Sequence, residues 1–241
     1  MGRVAVVTGG TRGMGKAISI ALKQAGYDVA ANYGGNDEAA ARFKDETAIP
    51  VYKFDVSDFA TCKAGVEKIA TDLGSLVEIL VNNAGITRDS TMHRMSAEDW
   101  QAVIDTNLSS CFNLCHCVIE TMRECSFGRI VNIGSINGQA GQYGQVNYVA
   151  AKSGIHGFAK VLAQEGAAKN VTVNAVAPGY VDTDMVRAVP DNVLEKIIAR
   201  IPVGRLGRAE DIARGVLFLV GDQADFITGS TLSINGGQHM Y

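Results

Sequence analysis

Only four prolines occur among the 241 residues, and no stretch is polar or repetitive enough to serve as a linker. This favours one continuous domain over residues 1–241, long enough to bury a sizeable core. Positive charge is not in excess either: 22 Lys and Arg face 25 Asp and Glu, for a formal net charge of −3. Nothing therefore marks a basic face for nucleic acid, although a few arginines can still meet a small phosphorylated ligand. No apolar run approaches the roughly 20 residues that cross a bilayer. The run at Val4 to Val7 is too short for the core of a signal peptide, and Val6 stands where a myristoylation motif wants Ser or Thr. These absences predict a cytoplasmic protein with no nucleic-acid and no membrane partner.

Cysteine is sparse and odd in number: Cys62, Cys111, Cys115, Cys117 and Cys125. That count argues against a disulfide framework. Cys115, His116 and Cys117 point to different faces if helical, and Cys111 with Cys115 supplies two thiols where zinc wants four ligands. No metal site is expected, and the thiols read as small buried groups.

What the chain has in abundance is alternation. Apolar β-type runs at 4–7, 29–33, 51–54, 79–81, 129–133, 171–176 and 231–234 alternate with helical segments. The helices are predicted at 16–25, 36–46, 57–73, 97–124 (one long stretch), 147–168, near 192–199, and 209–220. Continuous apolar strands interleaved with helices predict an α/β fold, a doubly wound parallel sheet of Rossmann type covered on both faces. Such sheets bind ligands beyond the carboxyl ends of their strands.

Directly after the first strand comes Thr8-Gly9-Gly10-Thr11-Arg12-Gly13-Met14-Gly15. Its glycines permit a tight turn and close backbone approach, and the following helix offers unpaired N–H groups to a pyrophosphate. The second strand ends Asn32-Tyr33-Gly34-Gly35, without the acid that would hold a free ribose 2′-hydroxyl. Arg12 and Arg42 supply positive charge nearby, so NADPH is expected rather than NADH. Asp37 and Glu38 are read as favouring a helix N-terminus behind an Asn36 cap.

Tyr148 and Lys152 stand at i and i+4 on one helix face. A free phenol titrates near 10, and a neighbouring ammonium is expected to lower it, as a general acid for a carbonyl oxygen requires. Ser135 follows the 129–133 strand, Asn82-Asn83-Ala84-Gly85 follows another, and Asn107 lies in a helix.

Together with Pro178-Gly179, these motifs in this order strongly resemble the short-chain dehydrogenase/reductase family, over the chain from Arg3 onward. The resemblance implies that Tyr148 protonates the substrate carbonyl, that Ser135 polarises it, that Lys152 binds the nicotinamide ribose and tunes Tyr148, and that Asn107 holds a water linking Lys152 to solvent. It also implies a cofactor cradle of Gly9, Thr11, Arg12, Gly13, Met14 and Gly15. Asp55 and Val56 would line the adenine, and Asn83, Ala84, Gly85 and Ile86 the ribose. Pro178, Gly179, Val181 and Thr183 would flank the nicotinamide.

Within the family, the segments 82–89, 136–148 and 235–240 resemble the acetoacetyl-CoA reductases of polyhydroxybutyrate synthesis, which make (R)-3-hydroxybutyryl-CoA. By this resemblance Asp89, Gln142, Tyr143, Gln145 and Tyr180, with Ser135 and Tyr148, would contact the acyl thioester, and the chain would assemble as a homotetramer. The 3-oxoacyl-carrier-protein reductases share many of these features. An NAD-dependent sugar or steroid dehydrogenase and a cofactor-binding sensor without turnover are the further alternatives.

Overall fold

The computed structural model describes residues 2–187 and 190–240. Seven strands form one parallel sheet: β1 (Val4–Val7), β2 (Asp28–Tyr33), β3 (Val51–Lys53), β4 (Val77–Asn82), β5 (Gly128–Ile133), β6 (Val171–Pro178) and β7 (Thr231–Ile234), in the order β3-β2-β1-β4-β5-β6-β7. The order reverses between β1 and β4, so a crevice opens there at the carboxyl ends of the strands.

Successive side chains of a strand point to opposite faces, and here both faces are apolar. Val4 and Val6 pack on one side with α3 (Phe59–Leu73), α5 (Ser110–Glu124) and α7 (Val146–Gly166). Ala5 and Val7 pack on the other side with α1 (Gly13–Gln24), α2 (Asp37–Thr47) and α10 (Ala209–Val220). Cys62, Cys111 and Cys115 are buried, and burial raises all three thiols. Among the described residues no helix is long and apolar enough to cross a membrane.

Several boundaries depart from the sequence expectation. Helix α1 starts three residues early, within the glycine loop, because Gly13 enters at φ +52°, a left-handed angle that favours glycine. The single long helix expected over 97–124 is two: α4 (Ala97–Ile104) and α5, separated by a π turn at Asp105–Ser109. A short α6 (Ile136–Ala140), unforeseen in the sequence, follows β5 with Ser135 as its N-cap. Helices α8 (Asp184–Arg187) and α9 (Asp191–Ile198) lie between β6 and α10.

Candidate active site

The floor of the crevice is a staple between the ends of β1 and β4. Thr8 Oγ1 accepts from the N–H groups of Asn83 at 2.9 Å and Ala84 at 3.0 Å, and Asn83 Nδ2 donates to the Thr8 carbonyl at 2.9 Å. A Cβ on Gly9 would lie 3.2 Å from Ala84 Cα, and one on Gly15 would overlap the Gly9 carbonyl oxygen. Beyond Gly13 the nearest outside atom is Thr183 Cγ2, 3.7 Å from a Cβ placed there. Thr183, from the segment after β6, thus closes over the glycine turn. Arg12 caps α1 with its backbone and leaves its side chain exposed. Thr11 is buried and Met14 packs against the core on the α1 side.

The end of β2 is braced by Asn32, which is 1% exposed. Its Oδ1 accepts from Gly9 N at 3.3 Å, and its Nδ2 donates to the Phe54 carbonyl at 2.9 Å. An uncharged amide therefore ties the end of β2 to the glycine turn and to the segment after β3. The two acids downstream are both paired: Asp37 with Lys53 at 2.8 Å and Glu38 with Arg42 at 3.0 Å. Lys53 and Tyr33 hold the Asp37 carboxyl below its ordinary value. Asn36 caps α2 as expected, accepting from Ala39 N. Arg42, read as a source of positive charge, is committed to Glu38.

The wall beyond β3 is Asp55 and Val56. The Asp55 carboxylate accepts from Ser57 N at 2.9 Å and Ser57 Oγ at 2.7 Å, while Asp58 caps α3. Val56 is buried, and its carbonyl accepts from Asn113 Nδ2 at 3.0 Å.

Helix α7 brings Tyr148 and Lys152 to the turn after β5. The side-chain hydrogen bond with Ser135 pulls the Tyr148 phenol down, but burial is the larger influence and leaves it above its ordinary value. Lys152 is 4% exposed and donates to the Ile133 carbonyl at 2.6 Å. Its Nζ lies 5.7 Å from the centroid of the Tyr148 ring. Burial lowers the ammonium to about 8, with Cys111 acting in the opposite sense. The amine is aimed at a carbonyl rather than the phenol, and burial raises the tyrosine where spacing alone predicted a lowered one. Ser135 Oγ accepts from Asn137 N at 3.1 Å, and its own proton is the one directed at Tyr148.

Asn107 sits in the π turn, 1% exposed. Its Oδ1 accepts from Ile86 N at 2.8 Å and its Nδ2 donates to the Ile86 carbonyl at 2.9 Å. The extra residue in that turn aims the amide at the segment after β4; a regular helix would carry it onward. A Cβ on Gly85 would meet Asn107 Oδ1 at 3.1 Å and Lys152 Nζ at 3.7 Å. Gly85 therefore allows these three elements to converge.

The mouth is a polar chain. Gln145 Nε2 donates to Asp89 Oδ2 at 2.7 Å, and Asn137 Nδ2 donates to Gln145 Oε1 at 2.9 Å. Gln142 and Tyr143 are exposed at the rim, Tyr143 87% so. Tyr180, half-buried, accepts from Gly207 N at 2.8 Å through its carbonyl, and buried Val181 bridges to Gly207. Pro178 ends β6, and Gly179 N donates to the Ile234 carbonyl at 2.9 Å.

Comparison with known proteins agrees with this geometry. A family profile described as enoyl-(acyl carrier protein) reductase matches residues 9–239. An acetoacetyl-CoA reductase of Shinella zoogloeoides is 62% identical over 239 residues, covering 99% of each chain. This chain belongs to the short-chain dehydrogenase/reductase family. An acetoacetyl-CoA reductase of Rhizobium meliloti is likewise 62% identical, over 99% of each chain. The 3-oxoacyl-(acyl-carrier-protein) reductase FabG of Escherichia coli is 45% identical, over 99% of this chain and 98% of its own.

Membership of this dehydrogenase/reductase family implies a nicotinamide cofactor, and the glycine cradle fits one. Side chains are excluded at Gly9 and Gly15 by neighbouring backbone, and Gly13 opens the N-terminus of α1 with only Thr183 Cγ2 near the place of a Cβ. Four residues of the short-chain dehydrogenase/reductase site went unassigned in the sequence: Thr8, Asn32, Asn137 and Asn147. Asn147 is fully buried, donates to the Arg88 carbonyl at 3.0 Å and accepts from Tyr148 N at 2.7 Å. An uncharged polar residue directly before a catalytic-type tyrosine was the available signal.

Proposed function

We propose that this chain is an NADPH-dependent acetoacetyl-CoA reductase that forms (R)-3-hydroxybutyryl-CoA for polyhydroxybutyrate synthesis. The observation that carries the reading is the paired Ser135 and Tyr148 hydroxyls beside a glycine cradle. Full-length similarity to two acetoacetyl-CoA reductases at 62% identity supports the choice of substrate.

The bound nicotinamide supplies the hydride. Ser135 turns its hydroxyl to hydrogen-bond the ketone oxygen and orients the carbonyl. Tyr148 gives that oxygen its proton as negative charge develops there. Lys152 and Tyr148 bind the nicotinamide ribose, the Lys152 ammonium restores the Tyr148 proton, and a water held at Asn107 links Lys152 to solvent for its own reprotonation. Gly9, Thr11, Arg12, Gly13, Met14 and Gly15 take the pyrophosphate, with Arg12 on the 2′-phosphate. Asp55 and Val56 line the adenine, Asn83, Ala84, Gly85 and Ile86 the ribose, and Pro178, Gly179, Val181 and Thr183 the nicotinamide.

Asp89, Gln145, Gln142, Tyr143 and Tyr180 receive the acyl and pantetheine portions. The preference for NADPH draws support from the amide at Asn32 and the pairing of Asp37 and Glu38, which leave Arg12 as the unpaired charge at that end. The single domain acts in the cytoplasm as a homotetramer. The exposed ring of Phe112 on α5, stacked on Phe59 at 6.3 Å, supports an apolar contact there.

A carrier-protein substrate is the second reading, favoured by the 45% identity to the Escherichia coli enzyme. Initial rates with NADPH on acetoacetyl-CoA and on acetoacetyl carrier protein discriminate the two. Higher kcat/KM on the CoA ester is expected, and a clear preference for the carrier protein replaces the first reading with the second.

A further inference from the structure

One face of α7 reads the whole turn that carries Ser135. Tyr148 hydrogen-bonds Ser135, Lys152 donates to the Ile133 carbonyl at 2.6 Å, and His156, one helical turn further on, lies behind Gly134 between them. A Cβ on Gly134 would fall 3.3 Å from His156 Cε1 and 3.7 Å from its Nε2. The imidazole therefore rests on the backbone that joins the carbonyl holding Lys152 to the residue holding the substrate oxygen. The far edge of the ring is anchored: Nδ1 and Thr231 Oγ1, at the start of β7, are 2.9 Å apart. Nε2 is buried without a hydrogen-bond partner.

Leaving one buried ring nitrogen unsatisfied costs stability. A leucine in the same place would carry no such cost, so ordinary packing does not account for a histidine. Burial, with Lys160 and Lys152 adding, lowers the His156 imidazole from its ordinary value.

We propose that His156 is a positioning residue for the reaction: braced by Thr231, it fixes the Gly134 backbone and thereby sets the Ile133 carbonyl and Ser135 at once. This rests on the reductase reading above, because Ser135 and Lys152 are the groups it positions. Gly134 also donates to the Val176 carbonyl at 2.7 Å, and that oxygen and the imidazole both border the space where its Cβ would lie. Removing the ring leaves the turn held by that hydrogen bond without its side-chain support.

The test uses the full chain. In His156→Ala, kcat for acetoacetyl-CoA falls by about ten- to hundredfold, as expected for a small misplacement of reacting groups, while the NADPH KM stays within about twofold. Thr231→Val, which keeps the ring and removes its brace, gives a smaller loss of the same kind. The double variant is no worse than His156→Ala alone, because the two act through one contact. Ultraviolet difference titration of Tyr148, taken against Tyr148→Phe, moves to higher pH in His156→Ala as the Ser135 hydrogen bond loosens.

Wild-type kcat and an unmoved phenol titration in folded His156→Ala overturn the proposal. So does a loss confined to thermal stability. If His156→Ala does not fold, wild-type kcat in Thr231→Val overturns it. An inactive wild type would instead indict the reductase reading, and the phenol titration still reports on the brace.

Discussion

Lys152 Nζ donates to the Ile133 carbonyl at 2.6 Å while only 4% of the residue is exposed. A buried ammonium facing a neutral acceptor loses hydration that one carbonyl does not replace, and its titration point drops from 10.5 to about 8. The folded state therefore disfavours the charged form. Below pH 8 both folded and unfolded chains are protonated and the penalty is present in full. Between about 8 and 10.5 the folded chain has released its proton while the unfolded chain keeps it, so stability rises with pH. The difference in unfolding free energy between wild type and Lys152→Met is expected to grow in favour of wild type across that window. The rise has an upper bound of about 3 kcal/mol from the shift itself. Denaturant titrations at a series of pH values measure it, and a flat difference contradicts the burial argument.

Tyr148→Phe removes the proton donor and leaves the ring in place. Turnover should fall by about 10²- to 10⁴-fold, the usual contribution of a positioned general acid. NADPH affinity, measured by fluorescence titration, should fall by no more than about tenfold, the loss of one ribose hydrogen bond. Retained turnover would remove Tyr148 from the acid role.

Arg12→Ala separates the two nicotinamide cofactors. With Asp37 and Glu38 paired and Arg42 occupied, Arg12 is left to meet the extra phosphate. Loss of a charge-assisted contact should weaken NADPH about tenfold or more while NADH binding stays within about twofold. An equal loss for both nucleotides would assign Arg12 to the shared pyrophosphate instead.

Thr8→Val keeps shape and removes the oxygen that serves both Asn83 N and Ala84 N. Two main-chain donors lose their acceptor at the crevice floor, for a stability loss of about 2 kcal/mol and weaker cofactor binding. Thermal unfolding and cofactor titration of the variant check both, and an unchanged protein would mean that water replaces the hydroxyl without cost.

The parts of this molecule that were legible in the sequence are local. Val4–Val7 reads as a buried strand because every residue is apolar, and 209–220, an apolar-faced helix, and the short strand 231–234 also emerge at the predicted bounds. The glycine loop and the Tyr148–Lys152 pair are short spacings whose physics needs no neighbours. The parts that were not legible depend on contacts distant in sequence. Nothing around Asn107 announces a π turn; its reason is the Ile86 backbone, 21 positions away. Asn32 could be read as the absence of an acid but not as a brace to Gly9 and Phe54. The direction of the Tyr148 shift is set first by burial in the folded crevice, which an i,i+4 spacing leaves open.

The most direct measurement is NADPH absorbance on adding acetoacetyl-CoA to the purified protein, with the product quantified alongside. NADPH should be consumed mole for mole with (R)-3-hydroxybutyryl-CoA formed. No consumption by well-folded protein, with this ester or with its carrier-protein counterpart, would contradict the account.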